Sequence, residues 1–171
     1  MPHDHLRVLA HPLRLRILSL LTGTAMSAAE AARELGETQA NTSYHIRRLH
    51  DAGLLQVAEE IQIRGGRAKR YRHHPDSGRR LTSRKPGEEQ LLTKAIATEL
   101  LRRAAERARD RPASLTDAEL WVAPELWART LKQATTLSEE LHAAAQPPRT
   151  PGTIRVSASV ALFELTAEDR R

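Results

Sequence analysis

The sequence predicts a mainly α fold with a small β component, and three features carry that expectation. The first half breaks at glycines into three short helical segments. The apolar period then switches from helical to alternating after Gly53, and the second half holds two long amphipathic runs. With 171 residues, 40% hydrophobic and 28% charged, the chain falls in the globular range, with room for a small domain and an appendage. Only 3% is aromatic, so the core rests on Leu, Ile, Val and Ala, and a dimer interface is expected to supply the burial such a core lacks.

Each element has a local reason. Pro12 stands at a first helical position and LRLRILSLLT runs on to Gly23, with Leu13, Ile17, Leu20 and Leu21 on one face. Ser27 and Glu30 have the spacing of a capping box that opens SAAEAAREL, and Gly36 stops it. Thr38 caps QANTSYHIRRLHDA, which ends at Gly53. All three glycines read as left-handed helix stops. Beyond them Leu55, Val57, Ile61 and Ile63 share parity, Gly65-Gly66 offers a two-residue turn, and RAKRYRHH returns as the partner strand.

Residues 76–87 read as a polar linker. From Glu88 to Arg109 apolar pairs alternate with polar pairs, the mark of a long amphipathic helix. SLTDAELWV, residues 114–122, reads as a strand, Pro124 opens a second helix to about Ala145, and TIRVSASVALFEL, residues 153–165, reads as a last strand pairing antiparallel with the first. The expected organisation is a domain at 1–75, a linker at 76–87, and a helix–strand–helix–strand appendage at 88–171 for dimerisation and a candidate effector.

Several function classes drop out. No cysteine is present, which excludes disulfides, thiolate metal sites and thiol redox sensing. The amino terminus carries charges where a secretion signal needs apolar residues, and no run reaches the ~18 apolar residues of a membrane span, so a cytoplasmic protein is expected. No Gly-rich phosphate loop, HExxH, G-x-S-x-G or plausible carboxylate pair occurs, and no enzyme activity or cofactor is expected. His3, Asp4, His5 and His11, or His73 and His74, invite a metal reading. Yet a terminal His-x-His lacks a cage, and adjacent strand histidines point to opposite faces, so no metal site is assigned.

Charge is concentrated. The net charge is +6, but nine Arg/Lys against Asp76 between Arg64 and Lys85 put +8 in one stretch and leave −2 for the rest. A focused positive field favours a polyanionic partner.

Taken together, LAHPLRLRILSLL, SAAEAARELGETQANTSYHIRRLHDAGLL and the basic hairpin IQIRGGRAKRYR resemble the winged helix-turn-helix domain of ArsR-type bacterial regulators over residues 4–75. Gln39, Ser43, His45, Arg47, Arg48, Leu49 and Ala52 to Leu55 carry the likeness. The resemblance implies a homodimeric transcription regulator, more often a repressor, bound to double-stranded DNA, with the second half serving dimerisation or sensing. Metal sensing is not carried over, because cysteine is absent and the Glu88–Arg109 helix has no His.

On the third helix Thr42, Ile46 and Leu49 would pack inward, leaving the opposite flank to face a major groove. Base reading is assigned to Gln39, Asn41, Tyr44 and Arg47: amides suit adenine, guanidinium suits guanine, and the tyrosine ring suits a thymine methyl. Thr38, Ser43 and Arg48 are better placed for phosphates. His45 reads as a packing or phosphate-contacting residue. Arg64, Arg67, Lys69, Arg70 and Arg72 surround the hairpin turn, fit for flanking phosphates or a minor groove, or for guarding an edge strand. Arg79, Arg80, Arg84 and Lys85 fit an ordinary solvated linker equally well. Leu92, Ile96, Leu100, Leu131, Leu137 and Leu141 are expected in the dimer interface. Trp121, Trp127 and Phe163 either line a small-molecule effector pocket or belong to the core, and core is the more frequent use. The competing reading is a winged-helix assembly module that binds protein partners without touching DNA.

Overall fold

The computed structural model describes residues 5–63, 66–74 and 87–166. Its elements are α1 (His5–Leu9), α2 (Pro12–Gly23), β1 (Met26–Ser27), α3 (Ala28–Leu35), α4 (Gln39–Asp51), β2 (Leu55–Ile63), β3 (Gly66–His73), α5 (Glu88–Ala105) and α6 (Pro124–Ala143). The fold class is the expected one: a helix-rich chain with one small antiparallel sheet, in a winged helix-turn-helix arrangement followed by a helical C-terminal part. None of the helices among the described residues is long and apolar enough to cross a membrane.

The core lies where α2, α3 and α4 meet the root of the hairpin. Leu13, Ile17 and Leu21 of α2 close on Ala31, Ile46, Leu49, Leu54 and Leu55, with Val8 and Leu9 of α1 at one end. Caps set the helix starts. The His11 ring accepts from the Leu13 amide at 3.2 Å ahead of Pro12. Ser27 and Glu30 complete the capping box: the Ser27 hydroxyl accepts from the Glu30 amide at 3.3 Å and the Ser27 amide donates to the Glu30 carboxylate at 2.7 Å. Gly36 and Gly53, at φ 67° and 70°, take the left-handed turns that end α3 and α4.

Gly23 does not. It stays inside α2, whose cap is the extended Thr24, and its missing side chain has another use. A Cβ there would run into the backbone carbonyl of Gln146, in the turn after α6. The same turn is tied to α3 by Arg149, whose guanidinium meets Glu34 at 2.5 Å.

The sheet order is β1-β3-β2, so a two-residue strand just before α3 adds to the predicted hairpin. Ile63 pairs with Gly66, one residue short of the expected Gly65-Gly66 turn; residues 64 and 65 lie outside the described residues. The register shifts between Val57 and Glu59. That bulge reverses the parity beyond it, so Ile61 and Ile63 no longer share the inner face of buried Leu55, and Ile63 is exposed; Val57, ahead of the bulge, is exposed as well.

In the second half α5 stops at Ala105 and α6 at Ala143, short of the expected Arg109 and Ala145. Ala95 and Glu99 of α5 are buried where it lies against α1 and α2. Residues 114–122 and 153–165 do not form the expected strands: 112–123 and 153–166 lie outside any helix or strand. Strands need a ladder partner and a covered face, and within one copy these segments have neither. Leu115, Trp121 and Ile154 are 89%, 93% and 85% exposed. Two polar contacts hold the last segment beside α5, Arg103 to Ser159 at 3.0 Å and Arg155 to Glu106 at 2.8 Å. Most of the linker, including Arg79, Arg80, Arg84 and Lys85, lies outside the described residues.

His73, at the end of β3, meets the Thr22 hydroxyl at 3.2 Å and stacks toward His142 of α6 with centroids 6.2 Å apart. Burial, then the neighbouring His142 and His74, lower its pKa to about 4. Two outcomes follow. Gly23→Ala should lower stability by about 1–3 kcal/mol in urea unfolding, although alanine is the better helix former, because the new methyl displaces the Gln146 turn; a stabilised variant would show that this turn does not dock. Because unfolded His73 takes up a proton near pH 6.5 and folded His73 only near 4, stability should be intact above about pH 6.5 and fall on the order of 2 kcal/mol toward pH 4. His73→Gln should flatten that limb of the stability profile.

Candidate nucleic-acid interface

Burial of one side of α4 decides what the other presents. Thr42, Ile46 and Leu49 are buried as the spacing predicts, and His45 joins them, its ring 4.5 Å from that of His11 and 5.1 Å from that of Tyr44. His45 is therefore a packing residue, and burial together with His11 and Arg14 lowers its pKa, so it stays neutral at pH 7. Outward stand Gln39, Asn41, Tyr44, Arg47 and Arg48, all exposed, with Ser43 half-buried at the margin. The four residues assigned to base reading thus lie along one accessible flank of a 13-residue helix.

The start of that helix is braced. The Thr38 hydroxyl accepts from the Asn41 amide at 3.3 Å, which identifies Thr38 as the N-cap. Glu37 accepts from the Asn41 side chain at 3.3 Å and pairs with Arg16 of α2 at 3.3 Å, while Arg16 also donates to the Leu35 carbonyl at 2.7 Å. Arg16 and Glu37 escaped the sequence reading. Nothing in their spacing reveals that α2 reaches across the turn between α3 and α4 to orient Asn41.

The hairpin differs more from expectation. Its cations look unopposed along β3, but the register sets Glu59 opposite Arg70 and Glu60 opposite Lys69. Arg70 donates to Glu59 at 2.7 Å and to Glu30 at 3.2 Å. Burial alone would raise the Glu30 pKa; the hydrogen bonds from Ser27 and the charge of Arg70 outweigh it, and the carboxyl is held below its usual range. Arg70 is thus a half-buried strut that joins the hairpin to the α3 capping box. Arg67 and Lys69 share Glu60 more loosely, each at 3.8 Å with all three side chains exposed, so solvent screening leaves both cations able to turn outward. Arg72 is exposed, and Arg64 lies outside the described residues.

The remaining assignments divide. Leu100, Leu131, Leu137 and Leu141 are exposed, Ile96 is half-buried, and Leu92 packs against the core built on α2 and α4. Trp121 and Phe163 are exposed, so within one copy they enclose no pocket with Trp127, which is half-buried with its indole N–H unpartnered.

Two likenesses agree with this geometry. Residues 9–58, from the end of α1 through the bulge in β2, match the family described as "Helix-turn-helix domain". The chain is also 38% identical over 58 residues to the HTH-type transcriptional regulator YgaV of Escherichia coli (strain K12). That stretch is 33% of this chain and spans 59% of the length of that relative.

Proposed function

We propose that this protein is a sequence-specific DNA-binding transcription regulator, a repressor that acts as a homodimer on a palindromic operator. One observation carries the reading: α4 buries Thr42, Ile46 and Leu49 and holds Gln39, Asn41, Tyr44 and Arg47 outward on a braced rod. A major groove admits a helix of this kind, and these side chains supply the donors, acceptors and ring that base edges require. Arg67 and Lys69, with Arg64 and Arg72, track the flanking backbone or minor groove, and Thr38, Ser43 and Arg48 take phosphates beside the helix. Arg70 holds the hairpin in place for them. The helix-turn-helix likeness over residues 9–58 supports this assignment.

Residues 1–75 read DNA and residues 88–171 join two copies. Leu100, Leu131, Leu137 and Leu141, with Leu115, Trp121, Ile154 and Phe163, leave much apolar surface exposed on one copy. Single exposed leucines are ordinary, but this many large apolar side chains in one half of the chain suit a contact surface. Segments 112–123 and 153–166 gain in a dimer the covered faces they lack alone, and a small-molecule effector held there would bias the spacing of the two α4 helices.

Two measurements test the reading. Arg47→Ala should weaken operator binding roughly 5- to 150-fold at fixed salt, the worth of one base-reading contact, and relax specificity at one position per half-site. Fluorescence anisotropy on promoter fragments measures it, and binding that responds to salt but ignores sequence would sink the regulator assignment. Leu131→Asp combined with Leu137→Asp should convert a sedimenting dimer into a folded monomer with lost operator affinity. A wild-type protein that sediments as a monomer at micromolar concentration removes the dimer.

A further inference from the structure

Beside α4, on the side turned toward α1 and α5, the surface holds a concavity of about 440 Å³ lined by Arg7, Val8, Ala10, Arg14, Arg48 and Leu91. Three of its six lining residues are arginines, drawn from α1, α2 and α4, and the other three are apolar. Other half-buried arginines among the described residues have partners: Arg16 has Glu37, Arg70 has Glu30 and Glu59, Arg102 has Glu99 and Glu106, and Arg103 donates to the Glu99 carbonyl and the Ser159 hydroxyl. Among the described residues no carboxylate lies within ion-pair distance of Arg7, Arg14 or Arg48.

Arg14 shows the cost of that arrangement. It is half-buried, and its Nε is fully enclosed without a hydrogen-bond partner. Burial, followed by the charge of Arg48, lowers its pKa, so two guanidiniums sit close enough to oppose each other. A buried, unpaired donor on a cation is costly, and no carboxylate offsets the charge of Arg14 where it lines the concavity. Guanidiniums converging on one space match an oxyanion, which accepts paired N–H bonds in their plane and cancels their repulsion.

We propose that Arg7, Arg14 and Arg48 form a preorganised site for one phosphate group. Val8, Ala10 and Leu91 give it an apolar wall, and the concavity leaves room for what the phosphate is attached to. The same chemistry comes from two sources, a backbone phosphate of bound duplex or a small organic phosphate free in solution. The duplex source rests on the DNA-binding reading above; the free source does not.

The full-length protein is titrated with inorganic phosphate against chloride at matched ionic strength, with thermal unfolding as readout. Wild type should gain a few degrees at millimolar phosphate, growing with the logarithm of its concentration. Arg7→Gln and Arg14→Gln should each abolish the gain. Arg7 is exposed on α1, so its replacement keeps the test valid if the Arg14 variant folds poorly. The salt dependence of duplex binding separates the sources. A drop of about one in the slope of log affinity against log salt for Arg7→Gln assigns the site to a DNA phosphate. An unchanged slope, with the phosphate gain lost, assigns it to a free organic phosphate. If the protein binds no duplex, the phosphate arm alone decides. A phosphate gain that survives both substitutions, or no gain together with an unaltered slope, overturns the proposal.

Discussion

The contact between α2 and α4 governs this structure. Ile17 and Leu21 meet Ile46 and Leu49 in a core with almost no accessible surface, and a helix anchored along one side has no freedom to choose what it shows on the other. The outward direction of Gln39, Asn41, Tyr44 and Arg47 is therefore a packing result. Aromatic residues are scarce in this core, so it depends on branched aliphatics fitting closely, where a lost methylene group is felt as a cavity. The caps at Ser27 and Thr38 sharpen the result by fixing where α3 and α4 begin.

Electrostatics around that core are divided by burial. Cations that lie against the protein are paired within it: Arg16 braces Glu37 and Asn41, and Arg70 joins hairpin to capping box. Cations at the hairpin surface, Arg67 and Lys69, are only loosely neutralised, which suits side chains whose partners are external. The arginines around the α1–α4 concavity break the rule. They are drawn together without a carboxylate, so their positive potential stays uncompensated beside the exposed flank of α4.

The second half follows a different economy. Helix α6 has no buried residue, and the extended segments on either side of it hold apolar side chains in solvent. Helix α5 packs on α1 and α2 through Leu92 and Ala95, but what connects α6 and the turn after it to residues 5–74 is polar or steric: Arg149 with Glu34, His142 near His73, and the Gln146 turn seated against Gly23. Such contacts orient a segment without supplying apolar burial.

Much of the stretch from α2 to β3 was legible because its rules are local. A capping box needs two residues at fixed spacing, a left-handed stop needs glycine, and helical periodicity names the inner side, so α2 to α4, the hairpin and the exposed flank of α4 could be read from the residues alone. Three things could not. Gly23 has the look of a stop and is instead a point of close approach, because its reason lies more than a hundred positions away at Gln146. The cations of β3 look unopposed until the register with β2 sets Glu59 and Glu60 across from them, and the bulge that defines this register leaves no mark in the alternation. Segments 114–122 and 153–165 have strand composition but no strand, since composition gives the propensity and only a neighbouring backbone gives the ladder. The sequence alone thus determined the elements that close on themselves. Tertiary structure decided every feature made by distant residues meeting, including the Arg7, Arg14 and Arg48 cluster, because charge pairing and close approach depend on distances that chain order does not encode.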